Sequence, residues 1–359
     1  MPKSQTTLGL GALFALSTFL GCAHAGRAST KAIKPELTAP VRLEAIRRAQ
    51  VWSMTDVPSM DLMAGPEGPG SFPPNERIRC DYLEKALSGR SPKFVCVIPP
   101  DDELKVKFGR DNGEVYAEVA ASRLLWALGF HAERMYPVRV DCRGCPSNLH
   151  GTEMSSIQRK LAGKDMETHD TLGWAWPELD LVDPAAGGAP QAQRDALKLL
   201  AVFLQHTDSK PEQQRLVCVD KREKGPGDDP CPDVVMMVHD LGLTFGHANV
   251  LNRNSVGSVN LDEWSHARLW KDPTRCIGNL PKSSTGTLDN PRISEEGRKF
   301  LADLLVQLTD VQLHDLFEAA RFPRRSTISD TGPDRTTIAQ WVDAFKQKRD
   351  EVVSLTCPQ

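Results

Sequence analysis

Polar and apolar positions follow three regimes along this chain. The first is a nearly unbroken, uncharged apolar run from Leu8 to Leu20. The second is a set of short β-like runs. Arg77-Ile-Arg-Cys-Asp-Tyr82, Lys93-Phe-Val-Cys-Val-Ile98, Glu103-Leu-Lys-Val-Lys-Phe108, Met135-Tyr-Pro-Val-Arg-Val140 and Ser156-Ile-Gln-Arg-Lys-Leu161 each predict a strand. The turn composition Ser88-Gly-Arg-Ser-Pro92 joins the first two, so an antiparallel sheet is expected. The third regime is helical. Val115, Val119, Leu124, Leu125 and Leu128 recur at three- and four-residue steps before Gly129, which suits a C′ glycine. Gln193 to Gln205 repeats the pattern with a broad apolar face, and Val234-Val-Met-Met-Val238 reads as a buried strand. Thr309-x-x-Gln312 and Thr337-x-x-Gln340 read as capping boxes that open further helices. Gly65 to Pro74 reads as loop, and no internal repeat is present. The expected class is α+β, with a β-rich first part around one main helix and a mostly helical second part.

Composition narrows the setting. The chain has 359 residues, 40% hydrophobic and 25% charged, which excludes disorder, collagen and coiled coil. Lys+Arg 44 against Asp+Glu 47 gives a charge of −3 with no basic run, so nucleic acid is not an expected partner. Lys3 is the one charge before Arg27, and the apolar run is too short to span a bilayer, which reads as a signal segment. Phe19-Leu-Gly-Cys22 resembles the lipobox of bacterial lipoproteins, departing from it where Phe19 replaces an aliphatic residue. That resemblance implies export, removal of residues 1–21, acylation of Cys22 and a tether over 22–45 that holds the protein to a membrane. Ala23-His-Ala25 offers an alternative cleavage site for plain secretion.

Nine cysteines are many for a cytosolic chain of this length, and setting Cys22 aside leaves an even number. Sequence leaves their connectivity open, with local pairing as the expectation. Cys80 and Cys96 sit in two strand-like runs, and Cys142-Arg-Gly-Cys145 is a tight pair. Cys218 and Cys231 flank a Gly/Pro/Asp loop, and Cys276 can tie to Cys357. A zinc site at Cys142 and Cys145 would need a second ligand pair at similar spacing, and none is nearby.

Three segments carry candidate chemistry. Lys105-Val-Lys107 ends a strand and puts both lysines on one face. A strand lysine paired with a helix carboxylate can clamp nucleotide phosphates, with Glu118 as the natural partner and Glu114 in reserve. Next, His206-Thr-Asp-Ser-Lys-Pro-Glu-Gln213 resembles the catalytic loop of protein kinases, His-Arg-Asp-Leu-Lys-Pro-Glu-Asn. The resemblance implies Asp208 as the base that accepts a hydroxyl proton and Lys210 as the group that neutralises the γ-phosphate. Gln213 stands where the family uses a metal-binding Asn, and Thr207 replaces an Arg that answers to a phosphorylated activation loop. Finally, His239-Asp-Leu-Gly-Leu-Thr-Phe-Gly246 looks like the kinase Asp-Phe-Gly, in which Asp240 would bind the metal. Its longer form is similar to the secreted casein-kinase-like family. The helix glutamate before Gly129 and the following strand resembles HipA-type kinases.

These resemblances imply a two-lobed, disulfide-stapled kinase-like fold, with an N-lobe over 46–162 and a C-lobe over 163–359. ATP with Mg²⁺ or Mn²⁺ would be the cofactor, held by Lys105, Lys107, Glu118, Gln213 and Asp240, and a protein or small molecule would accept phosphate. The chain departs from the pattern in lacking a Gly-x-Gly-x-x-Gly loop, for which Gly89 is the one substitute, and in lacking an Ala-Pro-Glu segment. Its interval between Asp208 and Asp240 is also longer than usual, and the Cys218 to Cys231 insertion accounts for the excess.

Two other function classes fit part of the pattern. One is a catalytically inactive, pseudokinase-like lipoprotein that acts as a binding module. The other is a metal-dependent hydrolase using His206, Asp208, His239 and Asp240, with His247 the nearest extra histidine. Trp174, Trp176, Trp264 and Trp270 read as core, and His169 and His266 as surface.

Overall fold

Five strands close into a small barrel in the computed structural model, which describes residues 37–89, 91–147, 149, 152–168, 170–219, 231–246, 259–325 and 336–358. The described residues belong to one compact unit, Glu36–Gln359, and the boundary expected at 162/163 lies inside it. The signal run, Cys22, His169 and His247 lie outside the described residues. Helix α1 (Ala39–Arg48) opens the described chain. Residues 39–45, expected to belong to the tether, are therefore folded, because Ala45 and Ile46 bury the inner face of this helix.

The barrel strands are β1 (Glu76–Leu83), β2 (Lys93–Ile98), β3 (Asp102–Phe108), β4 (Arg134–Arg143) and β5 (Ser155–Arg159), with α2 (Glu114–Ala127) between β3 and β4. Their order is β1-β2-β3-β5-β4. The neighbours within that order are antiparallel, whereas β4 closes the ring by pairing parallel with β1, from Glu76↔Val138 to Asp81↔Arg143. The expectation of an antiparallel sheet is corrected in this one pairing, and closure removes both free edges. Alternation explains the closure. Ile78, Cys80, Phe94, Cys96, Leu104, Val106, Phe108, Tyr136, Val138, Val140 and Ile157 fill the interior from alternate positions of all five strands.

The outer face of the barrel packs on α2, which is buried almost all round and takes Glu118, Ser122 and Arg123 inside along with its apolar side chains. It ends in a Schellman turn: Phe130 N–H donates to the Leu125 carbonyl at 2.8 Å, and Gly129 adopts φ +83°. A Cβ at Gly129 would lie 2.2 Å from the Ser53 carbonyl oxygen, so no larger residue fits there.

The rest of the chain surrounds a second core. Strands β6 (Lys164–Asp165), β7 (Gln214–Cys218) and β8 (Val234–Val238) form an antiparallel sheet in that order, and helix α3 (Gln191–Leu204) precedes β7. There follow α4 (Leu261–His266), the short pair β9 (Trp270–Asp272) and β10 (Ile277–Gly278), then α5 (Glu295–Leu305), α6 (Asp310–Ala319) and α7 (Ile338–Ser354). Phe203, Phe245, Trp264, Phe317, Phe322, Trp341 and Phe345 meet edge to face beneath them. Trp174, Trp176, Trp264 and Trp270 are buried, and His266 is exposed. Thr309 with Gln312 and Thr337 with Gln340 form the two capping boxes.

Eight cysteines pair locally as Cys80–Cys96, Cys142–Cys145, Cys218–Cys231 and Cys276–Cys357, with Cα separations of 5.6, 5.7, 5.7 and 5.6 Å. Paired cysteines of this number are compatible with an extracellular location. Among the described residues no helix is long and apolar enough to cross a membrane.

Candidate functional site

The charged centre is assembled from three separate elements. Lys107 sits near the end of β3, Glu114 and Glu118 lie one turn apart on α2, and Asp240 follows β8. Lys107 is 2% exposed, and its Nζ donates to Glu114 Oε2 at 2.7 Å, to Asp240 Oδ1 at 2.6 Å and to Glu118 Oε1. The reserve partner Glu114 is thus engaged together with Glu118. Asp240 adopts φ +52°, the left-handed region that Asp tolerates better than most side chains, and this turns the chain sharply off β8. Gly242 completes the turn: a Cβ there would lie 2.5 Å from Glu114 Cγ, so the glycine of Asp-Leu-Gly is what lets this segment lie against α2.

One ammonium facing three carboxylates leaves excess negative charge in a buried place. Burial pushes the Glu118 carboxyl well above the ordinary carboxylate range; Lys107 opposes this, and Asp240 and Glu114 reinforce it. Burial would raise Asp240 too, but Lys107, a hydrogen bond with Glu118 and Lys105 outweigh it and hold Asp240 well below the usual range. Lys107 itself loses solvation, yet Glu118, Asp240 and Glu114 more than offset that and raise it well above an ordinary lysine. The two carboxyls are thus pushed apart, Glu118 toward holding a proton and Asp240 toward the ionised form. Carboxylate oxygens of Glu114, Glu118 and Asp240 all lie within 4.8 Å of one another, a spacing that suits a divalent cation. Among the described residues no other group of His, Cys, Asp and Glu meets that spacing. His206, Asp208 and His239 are not part of it, which removes support for a hydrolase centre built on them.

The second half of the site is the loop after α3. That helix ends at Gln205 with φ +55°, and His206 turns fully inside, 0% exposed. Burial lowers the His206 imidazole to about 4 against the opposing pull of Asp208 and Asp240, so it is neutral at pH 7. His239, also buried, is likewise lowered to about 4. The backbone N–H of Thr207 donates to the Leu243 carbonyl at 3.2 Å, which ties this loop to the segment after Asp240. Asp208 Oδ2 accepts from Gln213 Nε2 at 2.8 Å and from Lys210 Nζ at 3.1 Å. Gln213 thus spends its amide nitrogen on Asp208, which leaves its carbonyl oxygen as the atom available to a cation. Strand pairing sets the two halves side by side: Gln214 is the register partner of Val238, and His239 N–H donates to the Gln213 carbonyl at 3.0 Å.

Several residues that hold this loop gave no signal in the sequence. The Ser209 carbonyl accepts from Thr287 N–H at 3.1 Å and from its hydroxyl at 2.8 Å. The Gln214 amide, oriented to satisfy its neighbours, donates to the carbonyls of Trp174 and Lys210 and accepts from Trp176 Nε1. Gly173, at φ +60°, lies under the loop so closely that a Cβ would fall 2.1 Å from the Pro211 carbonyl oxygen and 2.2 Å from that of Gln214. Apart from Lys210, their partners lie dozens of residues away in sequence, so local pattern does not reveal them. Lys105, on the same strand face as Lys107, is half-buried and stands two positions from it.

No family model matches the chain. No curated protein matches it either. Among solved structures, the crystal structure of a Helicobacter pylori proinflammatory kinase, CtkA, is similar, with a TM-score of 0.41 and 12% sequence identity over 79% of this chain and 95% of that one.

Proposed function

We propose that this chain is a two-lobed, kinase-like phosphotransferase that binds ATP with Mg²⁺ or Mn²⁺ between the barrel and the helical part, and that it acts outside the cytosol. The observation that carries the reading is the convergence of Lys107, Glu118 and Asp240 from three elements, beside a loop that presents Asp208, Lys210 and Gln213. A buried cation and three carboxylates can exchange partners when a metal polyphosphate arrives. Asp240 would hold the metal, and Lys107 would meet the phosphates while keeping Glu118. Asp208 accepts the proton of an acceptor hydroxyl, whose oxygen attacks the γ-phosphorus as the bond to the β-phosphate oxygen breaks and ADP leaves. Lys210, beside Asp208, neutralises the charge that builds on the transferred group. The metal supplies charge neutralisation between the phosphates. The paired cysteines and the amino-terminal run support export, with Cys22 as lipid anchor to a bacterial membrane.

Melting of the purified protein with Mn–ATP and Mg–ATP tests this. Ligand at 100 times its Kd adds about 2.7 kcal/mol, or about 4 °C for a chain of this size. Asp240→Ala should erase the shift, and Asp208→Ala should retain it while abolishing transfer. A binding module without transfer is the second reading, favoured by one contact: the amide nitrogen of Gln213 occupies the proposed base. Retained nucleotide binding with no transfer to any acceptor, in wild type and in Gln213→Asn alike, would establish it.

A further inference from the structure

Lys93, at the start of β2, was not among the residues that motif spacing brought forward. Register brings it in: Lys93 is the strand partner of Lys107, and Val95 that of Lys105. Paired positions share a face, so Lys93, Lys105 and Lys107 stand together on the side of β2 and β3 that faces away from the barrel interior, where Phe94, Cys96, Leu104 and Val106 point. The three differ in how their charge is met. Lys107 is fully engaged by carboxylates, whereas Lys93 and Lys105, both half-buried, make no ion pair with a carboxylate among the described residues. The Lys93 ammonium is displaced below its ordinary range, first by burial and then by Lys107 and Lys105, with Asp240 and Glu114 pulling the other way. Glu114 and Asp240 reach the same face, since both touch Lys107. Gly89 borders it: its φ is +87°, and a Cβ there would lie 2.7 Å from Lys93 Nζ, so the ammonium lies against the Gly89 backbone.

We infer that Lys93 is a phosphate-positioning residue, forming with Lys105 an anion shelf under the Gly89 turn that takes the polyphosphate of the nucleotide. The inference rests on the phosphotransfer reading for the nucleotide and on the unpaired ammonium groups for the anion. Two cations held half-buried without counter-charge are suited to charge-assisted hydrogen bonds with phosphate oxygens. A lysine gives a point charge that tolerates different phosphate rotations, and the turn's backbone can stay close because no Cβ intervenes at Gly89. The shelf would do by side chains what a glycine-rich loop does by backbone N–H groups, and would explain how the chain manages without that loop.

Calorimetric titration of the full chain with Mn–ATP, Mn–tripolyphosphate and adenosine tests it, using wild type, Lys93→Met, Lys93→Arg and Lys105→Met. The expected result is a loss of about tenfold or more in both phosphate ligands for Lys93→Met, recovery to within about threefold in Lys93→Arg, and no change for adenosine. Melting without ligand identifies a variant that has not folded, and Lys105→Met then carries the test. Equal affinity of wild type and both methionine variants for Mn–ATP overturns the shelf while nucleotide binding stands. Lys93-dependent binding of tripolyphosphate with no binding of Mn–ATP upholds the shelf and removes the nucleotide reading. Failure of wild type to bind either phosphate ligand, or an equal loss for adenosine, overturns it.

Discussion

Replacing Lys107 by Met isolates the charge at the centre of the site, because Met keeps the length and apolar stem and leaves no large cavity. What it removes is the one cation among the described residues that touches Glu114, Glu118 and Asp240. Breaking a buried ion pair by removing one partner costs about 3–5 kcal/mol, since the remaining charge is left in low dielectric. Burial already pushes the Glu118 carboxyl well above the ordinary range, and the Glu114 and Asp240 side chains retain 16% and 27% exposure. Water and proton uptake can therefore relieve part of the loss, which points to the lower end, about 3 kcal/mol. With a urea slope of about 3 kcal/mol per M, the unfolding midpoint should fall by about 1 M. Glu118→Leu in the same background should recover part of it, and a double-mutant cycle should return a coupling of about 1–3 kcal/mol. Unfolding of Lys107→Met within about 0.2 M of wild type, or a cycle that closes with no coupling, would show that the buried ion pairs carry no stability.

Other consequences are local. Glu118 has a folded pKa raised well above 4.5, so it binds a proton in the folded state that the unfolded chain has released. Its stabilisation is complete below about pH 4.5 and declines as pH rises toward its folded value, by about 1.4 kcal/mol per pH unit. Without added metal, Glu118→Gln should therefore gain stability relative to wild type between pH 5 and 7 in urea titrations, and a flat difference would contradict a raised Glu118 carboxyl. Gly173→Ala should lower the melting temperature by several degrees, about 2–4 kcal/mol, because its Cβ meets backbone that cannot yield cheaply. Thr309→Ala removes the hydroxyl that accepts the Gln312 N–H and should cost about 1 kcal/mol, with little effect on any ligand.

Much of the framework is legible locally. The β-like apolar runs of Lys93–Ile98 and Val234–Val238 match their strands, because each reflects burial that the residues themselves encode. Both capping boxes were readable because the hydroxyl and the glutamine that satisfy each other lie three residues apart. The pairing of Lys107 with Glu118 was readable from a strand end followed by a helix. Three-way sharing of Lys107 was not, since Asp240 arrives through the β7–β8 register and Glu114 through the close packing of Gly242. Parallel closure of β1 on β4 depends on pairing across more than fifty residues, which alternation leaves unspecified. Lys93 stayed hidden for the same reason, as its place beside Lys107 is a fact of register.

Whether Lys107, Glu118 and Asp240 clamp a metal–nucleotide is decided by melting wild type and Asp240→Ala with and without Mn–ATP. Wild type should melt about 4 °C higher at 100 times the Kd, and the variant should not shift. No shift in wild type with either Mn–ATP or Mg–ATP, or an equal shift in Asp240→Ala, would rule the clamp out.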